Sequence, residues 1–318
     1  MGIKIFFADM PLNFDKYDNF IVDIFKKNHI EVEISPTPDF LFYSVYGYEH
    51  YKYSKCVKVF WTVEPVIPNF NECDYAVGFD DITFGCRYVK RPIWMFEECP
   101  LTFPSDDTAL LDRKFCNFIY SNESNGEGAH LRKELAQKLM KYKKVDCPGR
   151  VLNNMQNAIT PRDGDWKRGK LAFIQQYKFT IAFENTMYPG YTTEKLTQPL
   201  MMHSMPIYWG NPDVGQCFNT DAFVLCNGYE NRLDEIVDRI IQLDRNDELY
   251  LSMMKNNCMT DNYDCHEKEK LENFLVSIVQ RGNSEYNKDP LFYNCASKLY
   301  IDRAQSTFKG RIKRILRG

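Results

Sequence analysis

The stretch from Tyr177 to Val214, YKFTIAFENTMYPGYTTEKLTQPLMMHSMPIYWGNPDV, constrains this chain most. Tyr177–Phe183 alternates apolar and polar residues and then turns wholly apolar, the pattern of a buried strand. Glu184–Gly190 carries Asn, Pro and Gly, the residues of turns. Thr192 and Thr193 can cap a helix running from about Glu194 to His203. Pro206–Trp209 predicts a second short strand, stopped by Gly210, Asn211 and Pro212. That order is a βαβ unit with a polar loop at the mouth of its helix. The first N–H groups of a helix lack intrahelical partners and the dipole is positive there, so such a mouth binds anions. Glu194 and Lys195 stand side by side at it. A carboxylate suits ribose hydroxyls and an ammonium suits a diphosphate, so the pair points to a nucleotide. The same spacing also fits an ordinary solvated helix start with an acid in its first turn. Pro199 lies inside the predicted helix, where it removes a hydrogen bond and costs ~3 kcal/mol unless the helix kinks or starts later.

Length allows two domains: the chain has 318 residues, 44% of them hydrophobic and 26% charged. A net charge of −3 argues against a general nucleic-acid binder. The 11 cysteines show no CxxC spacing, which predicts reduced thiols rather than a disulfide framework. No run approaches the ~20 apolar residues of a membrane span. Met1-Gly2-Ile3-Lys4 leads directly into a strand pattern without a signal peptide, and Phe6 stands where N-myristoylation wants Ser or Thr.

The first hundred residues read as one α/β domain. Strands are predicted at Ile3–Ala8, Glu31–Ile34, Phe40–Val45 and Val57–Val63, with a helix over Asn13–Lys27. Tyr43 to Tyr53 is rich in tyrosine, fit either for stacking on sugar rings or for packing. Glu64-Pro65 follows the strongest strand of this domain, and active sites of open α/β sheets gather at such carboxyl ends. A loop acid without function is the plainer reading. Residues 97–112 look like an interdomain connection. Phe115–Tyr120 then starts a new strand pattern, followed by a helix over His130–Tyr142. Arg132 falls in that helix's first turn, where positive charge opposes the dipole, so it either has a task or is a plain surface residue. Asp163-Gly164-Asp165 could hold a divalent metal, but in RDGDWKRGK it reads better as a solvated turn. Leu233–Leu243, Leu249–Lys255 and Leu271–Val279 are amphipathic helices, and the tail Lys309–Arg317 is basic with apolar residues at helical spacing.

FENTMYPGYTTEKL followed by MPIYWGNPDV resembles the signature of the α-1,3-fucosyltransferases, glycosyltransferase family 10. Phe183, Glu184, Asn185, Tyr191, Thr193, Glu194, Lys195, Pro206 and Gly210 fall on the pattern, while Thr192 stands where Val is usual. VFWTVEP…NFNECDYAVGFD…RYVKRPIWM resembles, more loosely, the family's acceptor domain. The resemblance implies the GT-B arrangement, two Rossmann-like α/β domains facing across a cleft. Residues 1–108 would bind the acceptor, 109–290 would bind GDP-fucose, and 291–318 would be a basic tail. It implies Glu64 as catalytic base, and Arg132, Asn185, Tyr191, Glu194 and Lys195 as donor-binding residues. The implied reaction is inverting transfer of L-fucose from GDP-β-L-fucose to GlcNAc or glucose of a β-galactoside acceptor, with no essential metal or cofactor and no nucleic-acid partner. Animal members carry an N-terminal anchor, so the resemblance is to the bacterial type, or to a chain whose anchor has been removed. A cytoplasmic location is expected, with the tail in peripheral contact with the inner face of the membrane. Two rivals are a metal-dependent GT-A-like transferase using Asp163 and Asp165, and a nucleotide- or sugar-binding module without turnover.

Overall fold

A computed structural model describes residues 2–96, 106–123, 126–155, 166–261 and 267–282. Residues up to Gly78, joined by Ile82–Arg91, form a first unit. Its elements run β1 (Gly2–Ala8), α1 (Phe20–Lys27), β2 (Glu31–Ile34), β3 (Phe40–Tyr43), β4 (Val57–Trp61), β5 (Tyr75–Gly78) and β6 (Tyr88–Lys90). The strands pair in the order β2-β1-β3-β4-β5-β6, every pair parallel. Parallel strands are covered on both faces, which is why β3 reads FLFY and is buried throughout. Helix α1 starts later than the spacing predicts. Asp15 accepts from the N–H of Tyr17 and of Asp18, which turns the chain, and Asn19 then caps the helix by accepting from Ile21 and Val22.

Phe79–Asp81 and Pro92–Cys265 form a second unit. It contains α2 (Asp107–Leu111), β7 (Lys114–Asn117), α3 (Glu127–Leu139), β8 (Val145–Asp146), α4 (Trp166–Ile174), β9 (Tyr177–Phe183), α5 (Glu194–Met201), β10 (Met205–Trp209), β11 (Val224–Leu225), α6 (Leu233–Arg245) and α7 (Asp247–Met254). Its sheet runs β11-β10-β9-β7-β8, again parallel. Strand β9 lies at the centre and is buried at every residue. Leu135 and Leu139 of α3, Ile240 and Leu243 of α6, and Phe179, Ile181 and Ile207 of the sheet belong to one core. Helix α5 continues through Pro199, and Thr193 caps it as the sequence predicts.

The last described helix, α8 (Glu267–Arg281), belongs to the first unit. Glu272 accepts from Lys27 Nζ at 2.6 Å and from Asn28 Nδ2 at 2.9 Å, and Phe274 meets Tyr75 edge-on. The chain therefore returns to where it began. The expected division at 108/109 and 290/291 differs in this respect: it gives α8 to the second unit and residues 92–108 to the first. The expected tail, 291–318, lies outside the described residues, as do Asp163 and Asp165.

Candidate active site

In the second sheet the chain leaves β7 toward β8 on one side and β9 toward β10 and β11 on the other. Ligands of open α/β sheets bind at the carboxyl ends of the strands where the order reverses in this way. A cavity of about 240 Å³ lies there. Tyr120, Ser121 and Asn122 beyond the end of β7, Asn185 beyond β9, and Glu194 and Lys195 at the start of α5 border it. Of the five expected donor-binding residues, three line the cavity.

The mouth of α5 is already occupied by protein. Glu184, fully buried at the end of β9, accepts from the Thr193 N–H at 2.8 Å and from its hydroxyl at 2.9 and 2.8 Å. Thr193 Oγ1 in turn accepts from the Lys195 N–H at 3.3 Å. Open backbone donors at this mouth are therefore not what an anion would meet, because a buried carboxylate and the cap take them; the Lys195 side chain offers the charge instead. Lys195 Nζ sits 3.2 Å from Glu184 Oε2. Burial opposes its charge, but Glu184 and Glu194 beside it hold its pKa above the usual lysine range. Burial pushes the Glu184 carboxyl up, against the pull of Lys195. Glu194 is also penalised by burial, yet Lys195 and Lys170 bring its carboxyl down to about 2. It is an anion at neutral pH, suited to hydroxyl donors.

Arg132 is not in a first turn. Helix α3 begins at Glu127, three residues before the predicted start, because Gly128 lets its backbone lie directly on the loop after β9. The Gly128 N–H donates to Asn185 O at 3.2 Å, and a Cβ on Gly128 would stand 2.0 Å from Glu184 O. Arg132 is 1% exposed, behind the cavity wall. Its guanidinium lies 4.0 Å over the Tyr120 ring and donates to Asn122 O at 2.8 Å and to Asn185 Oδ1 at 3.0 Å. Asn185 thus turns its oxygen to Arg132, which leaves the amide NH₂ as the end available to a ligand. Tyr191 is buried too, packed edge-on against Phe79 rather than lining the cavity.

Three contributors lie outside the expected set. Glu184 falls on the motif but has no expected task. Trp166 and Lys170 also line the cavity, and Lys170 stands 3.7 Å from Glu194. Their i, i+4 spacing in WKRGK, just past the Asp163-Gly164-Asp165 turn, was the available signal. Among the described residues, no cluster of His, Cys, Asp and Glu could hold a metal ion.

In the first unit, β4 ends at Trp61 and Glu64 follows in a loop at its carboxyl end. Glu64 is half-buried and accepts from the Tyr46 hydroxyl at 2.8 Å. The tyrosine-rich stretch divides. Tyr43 and Tyr51 are buried, Tyr43 stacked on His50, while Tyr46 and Tyr48 are exposed beside the strand ends.

Comparison with known proteins matches both units. The N-terminal domain of alpha-(1,3)-fucosyltransferase FucT matches residues 5–97, and the C-terminal region of glycosyltransferase family 10 (fucosyltransferase) matches residues 113–281. The alpha-(1,3)-fucosyltransferase FucT of Helicobacter pylori is 30% identical over 243 residues, which are 64% of this chain and 48% of that protein. The GDP-fucose protein O-fucosyltransferase 3 of Homo sapiens is 32% identical over 190 residues, 59% of this chain and 39% of that protein. The chain thus spans less than half the length of either relative. A crystal structure of an alpha1,3-fucosyltransferase with GDP superposes at a TM-score of 0.70 and 24% identity, covering 91% of this chain and 93% of the other. One with GDP-fucose gives 0.66 and 25%, covering 87% and 90%. The fold is the expected GT-B type, with a Rossmann-like sheet in each unit. Among the described residues, no helix is long and apolar enough to cross a membrane.

Proposed function

The chain belongs to glycosyltransferase family 10, and on that premise we propose that it is an inverting fucosyltransferase using GDP-β-L-fucose. The acceptor is the 3-OH, with the 4-OH as the alternative, of GlcNAc or glucose in a β-galactoside such as N-acetyllactosamine or lactose. The observation that carries this reading is the cavity at the strand-order reversal, where Lys195, Glu194 and Asn185 offer a cation, an anion and an amide within one small space. The relative solved with GDP-fucose and the one from H. pylori support the same donor and reaction.

In the proposed reaction the acceptor oxygen bonds to the anomeric carbon as its proton passes to Glu64. The bond from that carbon to the GDP oxygen breaks, and its electron pair leaves with GDP. Lys195 meets the charge that develops on the diphosphate. Arg132 adds positive potential from behind the wall and holds Asn185. Glu194 accepts from ribose hydroxyls, and Tyr191 supports the pocket from its buried position. No metal is assigned a part. Peripheral membrane contact by the basic tail completes the proposal.

Glu64→Gln tests it. Glutamine keeps the size of the side chain but cannot take a proton. Turnover of GDP-fucose with lactose or N-acetyllactosamine falls by ~10²–10⁴, while GDP affinity and melting temperature stay near wild type. NMR of the product reads the linkage. A stable variant that still transfers fucose within about threefold of wild type, far short of that range, places the base elsewhere.

A further inference from the structure

Glu64 sits in a loop that folds back on itself. Its N–H donates to Thr62 Oγ1 at 3.1 Å and its C=O accepts from the Val66 N–H at 2.7 Å. A half-exposed glutamate in such a loop has several rotamers open to it. The Tyr46 hydroxyl limits them by donating to Oε1 at 2.8 Å, while Oε2 has no hydrogen-bond partner among the described residues.

Tyr46 is placed by its own surroundings. Its N–H donates to Asp9 O at 3.1 Å, and the Asp9 carboxylate collects the N–H groups of Glu49 at 2.8 Å and His50 at 2.9 Å. Between them Gly47 lies so close that a Cβ there would stand 2.3 Å from Asp9 Oδ1. Asp9, Tyr46 and Glu64 follow β1, β3 and β4, which are neighbours in the sheet, so three adjacent strand ends fix one hydrogen bond. A phenol donating to a carboxylate is among the stronger hydrogen bonds. Burial and then the Glu64 contact push the Tyr46 pKa up, so it remains a donor at working pH.

We propose that Tyr46 is the positioning residue for the proton-accepting carboxylate, donating to Oε1 and so fixing the rotamer that presents Oε2 to the acceptor's proton. This rests on Glu64 being the base.

A double-mutant cycle tests it, with single-turnover rates measured with enzyme in excess over GDP-fucose and lactose saturating, and the GDP-fucose KM measured in the steady state. Tyr46→Phe lowers the rate roughly tenfold, the effect of losing a hydrogen bond to a charged group, and leaves the GDP-fucose KM and the melting temperature unchanged. In a Glu64→Ala background the same change alters the rate by no more than about twofold, the additivity error of such cycles. A tenfold loss in both backgrounds overturns the proposal, because Tyr46 then acts without Glu64. So does an unaltered rate for Tyr46→Phe alone. Failure of the underlying assignment looks different: Glu64→Ala itself then retains turnover.

Discussion

The Glu64 carboxylate in the first unit is half-buried and, among the described residues, meets one side chain, the Tyr46 hydroxyl, whereas that of Glu184 in the second is fully buried and accepts from the N–H and the hydroxyl of Thr193 and from Lys195. Both carboxylates follow the last residues of a parallel strand, so topology alone does not separate them. Their surroundings do. A group that must accept and return a proton needs a free oxygen and access to its substrate. One that fixes a cation needs to be enclosed and saturated with hydrogen bonds. The difference teaches that Glu184, though it stands within the signature motif, is built as scaffold, and that Glu64 keeps the open oxygen which the proposed role as base requires.

Stability should show the largest contrast. Glu184→Gln takes from the Lys195 ammonium its hydrogen-bonded carboxylate and costs about 3 kcal/mol, the lower end for breaking a buried pair, because Glu194 remains beside it and Lys195 retains some solvent contact. Glu64→Gln costs less than about 0.5 kcal/mol, as a substitution away from the core does. Urea unfolding of the two variants measures both, and equal losses would erase the contrast. Donor affinity is the next largest. Lys195→Ala weakens GDP binding by roughly ten- to a hundredfold by calorimetry, the range for a charged hydrogen bond, and unchanged affinity would remove Lys195 from the site.

The smallest effect is in pH dependence, and its sign differs between the units. Burial lowers the His50 pKa, but Asp9 and Glu72 outweigh burial and the nearby Lys58, so its value stands above the usual 6.5. Its stabilisation is complete below that usual value and is lost as pH rises through the folded one. For Glu194, at about 2 against a usual 4.5, stabilisation is present above 4.5 and lost as pH falls through 2. His50→Asn should therefore flatten the alkaline limb of a melting-temperature profile and Glu194→Gln the acid limb. An exchange of the two limbs would refute the assignment.

The elements around the signature were legible because local rules decide them. Tyr177–Phe183 forms the predicted strand, and Thr193 supplies the cap hydroxyl at the start of α5. What stayed hidden depends on contacts between distant residues. Glu127 and Gly128 lie before the helix predicted from His130, yet they open α3 because the loop after β9 packs on a residue without a side chain. Arg132 consequently looked like a first-turn charge and is a buried brace. Tyr46 stands among several tyrosines with nothing in the spacing to mark it; it reaches Glu64 only because β3 and β4 are adjacent. Helix α8 carries an amphipathic pattern that does not say which sheet it will cover.

Lys195 Nζ lies 3.2 Å from both Thr193 Oγ1 and Glu184 Oε2. On the proposed function, a diphosphate that engages that ammonium shares it with an anion already tethered within reach, because two of its three N–H donors are taken. On that reading a carboxylate already stands beside the ammonium when GDP departs. A tethered competitor of this kind acts at a high effective concentration, and under the proposed function it would shorten the lifetime of the product complex. Where product departure limits turnover, the residue that weakens the grip on GDP is the one that lets the next cycle begin.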